Sequence, residues 1–392
     1  MPAWSVVHAF MNAVRKIAAI AGLALLGTLA MTAPTARAGA GDSARLDRAL
    51  DRVMALRGAP PGLSVLIGRP GTAELRRRGF ADVRTRRRPG SADRMRIASM
   101  AKAYSGAVAL ALVARGELSL DDTIGRRLPG LLPRAAGVTL AQALQHTGGL
   151  PDYIRQPAFL RRFVRRPRAY ISPRALVGYV RDLPLRFRPG SRYEYSDTDN
   201  IVVALMAEAA TGRSYDELLA THVYRPLRVR DTSLPRTPRM PRPFLHGYEV
   251  APGMSPEDVS QAINPAAAWA SGGIVSTPVD VGRFLRGYVG ARLFDPATRA
   301  LQRRFVAGAS QPPGPGANAA GPGVFRYRTR CGTVYGHTGS FPGYRLFGAA
   351  SPDGRRSVAF SVNAQIVPGS GSAAVSRAIR RAQELAVCVA LR

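Results

Sequence analysis

Lysine is nearly missing from this chain: of its 56 basic residues only Lys16 and Lys102 are lysine, and all the others are arginine. Acid is scarce too, with 25 Asp and Glu, so the formal net charge is +31. The five histidines, His8, His146, His222, His246 and His337, form no close ligand pair and no H-E-x-x-H, which argues against a zinc hydrolase. G-x-S-x-G is absent, and with it the nucleophile turn of a Ser-His-Asp α/β-hydrolase. No later apolar run approaches the roughly 20 residues of a membrane span. There is no internal repeat and no nucleic-acid-binding motif. Two cysteines, Cys331 and Cys388, leave room for one bridge or for two buried thiols. With 46% hydrophobic and 21% charged residues, the composition is that of an ordinary globular protein.

The N-terminus carries Arg15-Lys16, an apolar stretch from Ile17 to Met31, and Ala36-Arg37-Ala38. These are the three regions of a signal peptide, with cleavage expected after Ala38. A membrane anchor is the rival reading, but the apolar stretch is short for one. Residues 1–38 are therefore expected to be removed on export, leaving 39–392 as one catalytic domain with a net charge of +28 in an oxidising extracellular setting. Apart from Arg76-Arg77-Arg78 and Arg86-Arg87-Arg88 the arginines are scattered, and the charge suits an anionic cell wall better than nucleic acid.

Apolar runs and turn signals predict a hairpin over 63–67 and 72–80 and another over 344–350 and 357–362, with a C-terminal helix from Ala373 to about Leu391. Between them lie helical patterns over 100–115, 139–145, 173–180, 201–210 and 278–289. The Pro/Gly/Ala-rich stretch 311–323 reads as a surface loop. Both termini thus feed one sheet, and the middle is a mostly helical insertion.

The sole lysine after the leader is the first chemical clue. Arginine serves wherever only positive charge is needed, but a guanidinium does not release a proton near neutral pH, whereas a desolvated amine can. Lys102 closes Ser99-Met100-Ala101-Lys102, and on a helix residues three apart share a face, so the hydroxyl and the amine can meet. A helix N-terminus would also favour an oxyanion at Ser99. Tyr195-Ser196-Asp197 follows a turn at Pro189-Gly190-Ser191, and a phenol beside an ammonium can serve as a base. His337-Thr338-Gly339-Ser340 opens a strand region whose edge can offer backbone donors to an extended substrate.

The order S-x-x-K, Y-S-x, H-T-G resembles the penicillin-recognising serine hydrolases, over nearly all of 43–392. Leu144 to Leu150 (L-Q-H-T-G-G-L) and Ser271 to Thr277 (S-G-G-I-V-S-T) resemble two further segments of that family. H-T-G with a cysteine just upstream, and Trp269 before Ala270-Ser271-Gly272, look like the extracellular D-alanyl-D-alanine carboxypeptidases of actinomycetes. The resemblance implies an α/β (α+β) fold of β-lactamase/transpeptidase type: an antiparallel sheet flanked by helices beside an all-helical lobe, with the site between them. It implies Ser99 as nucleophile, Lys102 and Tyr195 as proton carriers, and the Ser99 and Ser340 amides as oxyanion hole. Asp197, Trp269, His337, Thr338 and Gly339 would line the substrate site, and a disulfide would join Cys331 to Cys388. Arg326, Arg328 and Arg330 stand close to His337 in sequence as candidates for a substrate carboxylate.

The expected activity is D-alanyl-D-alanine carboxypeptidation of peptidoglycan stem peptides by a secreted monomer. β-Lactams would act as covalent inhibitors, and no metal or organic cofactor is implied. A β-lactamase, an esterase or D-amino-acid amidase acting on another small acyl substrate, and a non-catalytic cell-wall peptide binder are the alternatives. One departure stands out: the family usually has Asn where this chain has Asp197. An amide both donates and accepts, while an ionised carboxylate only accepts and would pair with Lys102. Weakened handling of standard β-lactams is expected to follow.

Overall fold

The computed structural model describes residues 38–251, 254–366 and 373–392; all of the expected leader 1–38 except Ala38 lies outside them. Eight antiparallel strands form the main sheet. In chain order they are β1 (Gly62–Arg69), β2 (Thr72–Gly79), β3 (Val306–Ala307), β4 (Ala317–Gly321), β5 (Val324–Thr329), β6 (Gly332–Phe341), β7 (Tyr344–Ala350) and β8 (Ser357–Val362). Their spatial order is β2-β1-β8-β7-β6-β5-β4-β3, so the two terminal stretches meet at β1 and β8, as the sequence predicts. Among the described residues no helix is long and apolar enough to cross a membrane.

Strand alternation divides the core into two layers. Leu63, Val65 and Ile67 of β1 face α1 (Ala38–Ala55) and the C-terminal helix α5 (Ala373–Leu391), packing with Leu46, Leu50, Val375 and Ile379. Leu66 points the other way, into the larger core shared with the helical lobe. That lobe is built around α2 (Ala101–Ala114), α3 (Asp197–Thr211) and α4 (Pro278–Val289). Helix α2 is rich in alanine, and its residues 101–112 are all buried. Small side chains let its neighbours come close: Tyr104 stacks on Phe284 of α4 with ring centroids 3.7 Å apart.

The 311–323 stretch departs from the expected loop. Ala317–Gly321 is strand β4, paired with β5 through a turn at Pro322-Gly323, where Gly323 has φ +65°. Ala and Gly are poor strand formers, but β5 supplies a ready ladder of donors and acceptors, so pairing overrides propensity.

Candidate active site

Ser99 sits in a short 3-10 turn, Ala98–Met100, immediately before α2, one turn earlier than a regular helical start would place it. Ala98 is held at φ +50°, a costly conformation for alanine. It turns the chain sharply from the short strand Met95–Arg96, which pairs with Val275–Ser276, into the helix. Ser99 is half-buried and Lys102 is 1% exposed.

Lys102 Nζ lies 3.1 Å from Ser99 Oγ, 2.5 Å from Asp197 Oδ1 and 2.8 Å from the Ser271 carbonyl oxygen. Three acceptors match the three donors of an ammonium. The pairing with Asp197 expected from the sequence is therefore present, and Asp197 occupies the first position of α3, where the helix dipole favours a carboxylate. Lys102 Nζ also stands 4.9 Å from the centre of the Tyr195 ring.

Tyr195 is buried, and its hydroxyl has no hydrogen-bond partner. Burial, then the Asp197 charge, push the phenol well above its usual range; the Ser99 hydroxyl, the neighbour that opposes them, favours the phenolate. His337 is neutral, held down to about 3 by burial and then by the Lys102 charge. Its Nδ1 lies 2.5 Å from the Thr338 carbonyl oxygen, which can only accept, so the proton is on Nδ1. Nε2 is thus a buried acceptor with no partner. The rings of Tyr195 and His337 are 6.4 Å apart, and the two orphaned atoms are the natural points for a substrate's polar groups.

Strand β6 reaches Ser99 at Gly339, where a Cβ would stand 2.5 Å from the Ile97 carbonyl oxygen and 3.3 Å from the Ser99 amide nitrogen. Only glycine permits this approach. It holds the Ser340 and Ser99 amides, the pair assigned to the oxyanion, on touching elements. Strand β5 covers β6 only as far as Gly336, so one edge of 337–341 carries no strand partner among the described residues. That edge can take an extended peptide.

Five expected side chains are not brought to the site. Trp269, at φ +34°, turns its ring into the helical lobe, 5.1 Å from Tyr215, lining a separate cavity of ≈ 270 Å³. Its contribution is its backbone, which opens the turn carrying the Ser271 carbonyl. The Thr338 hydroxyl is spent on the Pro312 carbonyl oxygen, 2.6 Å away, so only its main chain remains for substrate. Arg330 precedes β6 at its far end, roughly 20 Å from His337 at 3.3 Å per residue, and Arg328 pairs with Thr333, roughly 13 Å from it along the strand. Arg326, nearer, packs its guanidinium over Phe305 at 4.9 Å.

Sequence reasoning missed a second layer. His146 lies against Tyr195 with ring centroids 4.5 Å apart, and its Nδ1 is 2.7 Å from Asp199 Oδ2. The Ser196 amide also points at that Nδ1, at 3.4 Å. Burial drives both groups the same way, the Asp199 pKa well up and the His146 pKa well down. Gln365 donates to Ser340 Oγ at 3.2 Å, and Ser105 binds Asn200 at 2.6 Å, which keeps Asn200 away from Lys102. Only His146, within the L-Q-H-T-G-G-L segment, carried a signal in the sequence.

The disulfide is formed: Cys331 and Cys388 are joined with their Cα atoms 5.1 Å apart, fastening α5 to the start of β6. Asp42 is the third member of the only group of His, Cys, Asp or Glu ligand atoms near enough to share an ion among the described residues, and the other two are these bonded sulfurs.

Residues 46–382 match the Beta-lactamase family model. The D-alanyl-D-alanine-carboxypeptidase/endopeptidase AmpH of Escherichia coli strain K12 is 27% identical over 215 residues, 53% of this chain and 51% of that protein. Protein flp of Staphylococcus aureus strain MW2 is 27% identical over 50% of this chain and 39% of its own length, so the chain spans about half or less of the length of these curated relatives. Among solved structures, a D-stereospecific amidohydrolase from a Streptomyces species superposes with TM-score 0.75 at 26% identity, over 87% of this chain and 98% of that one. The D-amino acid amidase of Ochrobactrum anthropi SV3 gives 0.74 at 23%, over 87% and 98%. An octameric penicillin-binding protein homologue from Pyrococcus abyssi gives 0.69 at 20%, over 86% and 77%. With its sheet, its helical lobe and the Ser99–Lys102 pair between them, the chain belongs to the beta-lactamase family, a group of penicillin-binding serine hydrolases.

Proposed function

We propose that the protein is an exported serine D-alanyl-D-alanine carboxypeptidase that acts on peptidoglycan stem peptides at the cell wall through an acyl-enzyme on Ser99. The observation that carries this reading is the 3.1 Å contact of Lys102 Nζ with Ser99 Oγ, set beside the open edge of β6. The peptide lies along that edge, and Ser99 Oγ attacks the carbonyl between the two terminal D-alanines. With its three donors engaged, Lys102 accepts the Ser99 proton only after passing one of its own to Asp197. The protonated amine and the Tyr195 hydroxyl then deliver a proton to the departing D-alanine. The Ser99 and Ser340 amides stabilise the oxyanion, and water releases the acyl group. Export follows from the leader, and a monomer is the simplest assembly; sedimentation decides between it and a higher oligomer.

Asp197 favours a second reading, that of a D-amino-acid amidase. One of its oxygens holds Lys102, and the other has no partner among the described residues while the side chain is 14% exposed. A carboxylate there accepts from a free α-ammonium, which an N-acylated peptide lacks. The likeness to the two amidohydrolase structures supports the same reading.

The test compares the protein with Ser99→Ala. D-Alanine released from a D-Ala-D-Ala peptide by the parent alone establishes the carboxypeptidase. Ammonia from D-amino acid amides without D-alanine release establishes the amidase. Neither product overturns both and leaves a β-lactamase, an esterase or a peptide binder.

A further inference from the structure

A second concave surface lies far from the chemistry, in the layer of α1 and α5 beyond the sheet. It is an open groove of ≈ 760 Å³ along the seam of these two helices. Arg45, Arg48 and Arg52 of α1 line it, with Arg381 of α5 and Arg330 from the turn before β6. Asp51 is the only carboxylate on the lining, and it is engaged by Arg78 Nε at 2.5 Å. Arg45 touches Asp42 at 3.4 Å, while the guanidinium groups of Arg48, Arg52, Arg330 and Arg381 have no carboxylate partner among the described residues; the Glu384 carboxylate accepts from the Arg330 backbone amide at 3.3 Å.

The placement is a pattern rather than a by-product of arginine-rich composition. Helix α1 sorts its faces: Leu46, Leu50 and Val53 turn inward, and Asp47 and Asp51 turn to Arg76 and Arg78 of β2. Positions 45, 48 and 52, with spacing i, i+3, i+7, form the remaining stripe, about 10 Å long. Like charges at that spacing repel. The disulfide at Cys331–Cys388 holds Arg330 against this stripe instead of letting the turn swing away. Nearby acid has gone to other partners, so the positive row is left for something outside the chain.

We propose that this groove binds a linear polyanion carrying repeated phosphate charges and no bases. All five guanidinium groups are exposed, so a single small anion would gain little from any one of them. Linked charges gain from all of them at once and release counterions. The remaining lining is Ala49, Ala378 and Leu385, with no aromatic ring on which a nucleobase could stack. The exposed large apolar residues, Tyr170, Leu183 and Met254, are not on the groove, so it lacks the wedge that would enter a lipid surface. The sheet stands between groove and Ser99, so a chain held there leaves the catalytic cleft free.

Fluorescence anisotropy with labelled linear inorganic polyphosphate tests this, with orthophosphate and oligothymidylate as competitors. Two charge-matched variants are compared with the parent: Arg48→Ala/Arg52→Ala/Arg381→Ala in the groove, and Arg134→Ala/Arg161→Ala/Arg165→Ala on the exposed helical lobe. The groove variant is expected to bind about tenfold more weakly or worse, with a salt slope lower by about 1 per arginine removed, while the lobe variant stays within about threefold of the parent. Equal weakening by both variants, or no binding by the parent, overturns the proposal. Displacement by oligothymidylate at lower concentration than by polyphosphate also overturns it, in favour of nucleic acid. Should the groove triple variant melt early, Arg52→Ala alone with its salt slope decides.

Discussion

Gly339 is the point at which two halves of the site depend on one missing methyl group. In Gly339→Ala the added Cβ would sit 2.5 Å from the Ile97 carbonyl oxygen, 3.0 Å from Ala98 Cβ and 3.3 Å from the Ser99 nitrogen. The tightest contact is to backbone, and Ile97 is fixed by its amide bond to the Ile274 carbonyl oxygen at 3.0 Å, so no rotamer change relieves it. Strand β6 and the Ser99 turn must separate by roughly 0.5–1 Å, and overpacking of this kind costs about 1–3 kcal/mol. Misplacement of reacting groups by about 1 Å costs on the order of 10²-fold in rate. Gly339→Ala should therefore lose about ten- to a hundredfold in kcat/KM on whichever D-alanyl or D-aminoacyl amide the parent cleaves. Tm should fall by only a few degrees per kcal/mol lost, at about 2–4 °C each. Gly178→Ala, where the new Cβ meets nothing within 4 Å, is the control and should leave both quantities unchanged or slightly raise Tm. If Gly339→Ala keeps kcat/KM within about threefold of the parent while melting normally, the strand is not seated against Ser99 as described.

Four further outcomes are expected. Asp197→Asn replaces the anionic partner of Lys102 by a neutral carbonyl oxygen and supplies an amide donor, so acylation by β-lactams, followed by mass spectrometry of the intact protein, should become faster; an equal or slower rate counts against the role given to Asp197. Replacing both cysteines by serine opens a loop of 57 residues and should cost about 4 kcal/mol on the chain-entropy account, seen as a lower Tm without added reductant. Burial, then Asp197, push the Asp152 carboxyl up to about 8, so the folded state keeps a proton that the unfolded chain loses above about pH 4; this stabilisation is full below about 4 and is lost as pH rises from there through 8, and Asp152→Asn should flatten the fall of Tm between about pH 4 and 8. His337, held down to about 3, has the opposite sign: its contribution is full above about 6.5 and is lost as pH falls towards 3, so His337→Gln should flatten the acid limb of the same curve.

Ser99 and Lys102 were legible in the sequence because their chemistry is carried by residue type and by a spacing within one helical turn. The hairpins at both termini were legible for a similar reason, since each is a local pattern of apolar run, turn and apolar run. The Asp197 pairing was legible as well, because an ionised carboxylate can only accept and the motif order places Lys102, the lysine of the S-x-x-K spacing, beside it. Strand β4 was hidden: its Ala and Gly residues carry no strand preference, and the ladder that makes them a strand belongs to β5.

Direction is what sequence proximity conceals. Trp269 precedes the residue pair that leads to the Ser271 carbonyl, yet a left-handed backbone at φ +34° sends its ring into the other lobe. Arg330 is seven residues from His337, and because an extended strand rises about 3.3 Å per residue, those seven residues carry it to the opposite end of β6. The same geometry that removes Arg330 from the catalytic cleft delivers it to α1 and α5, where the disulfide holds it beside three other guanidinium groups that have no carboxylate partner. An arginine that fails as a substrate ligand thereby becomes part of a second charged surface, and the distance between the two surfaces is what allows each to be altered without touching the other.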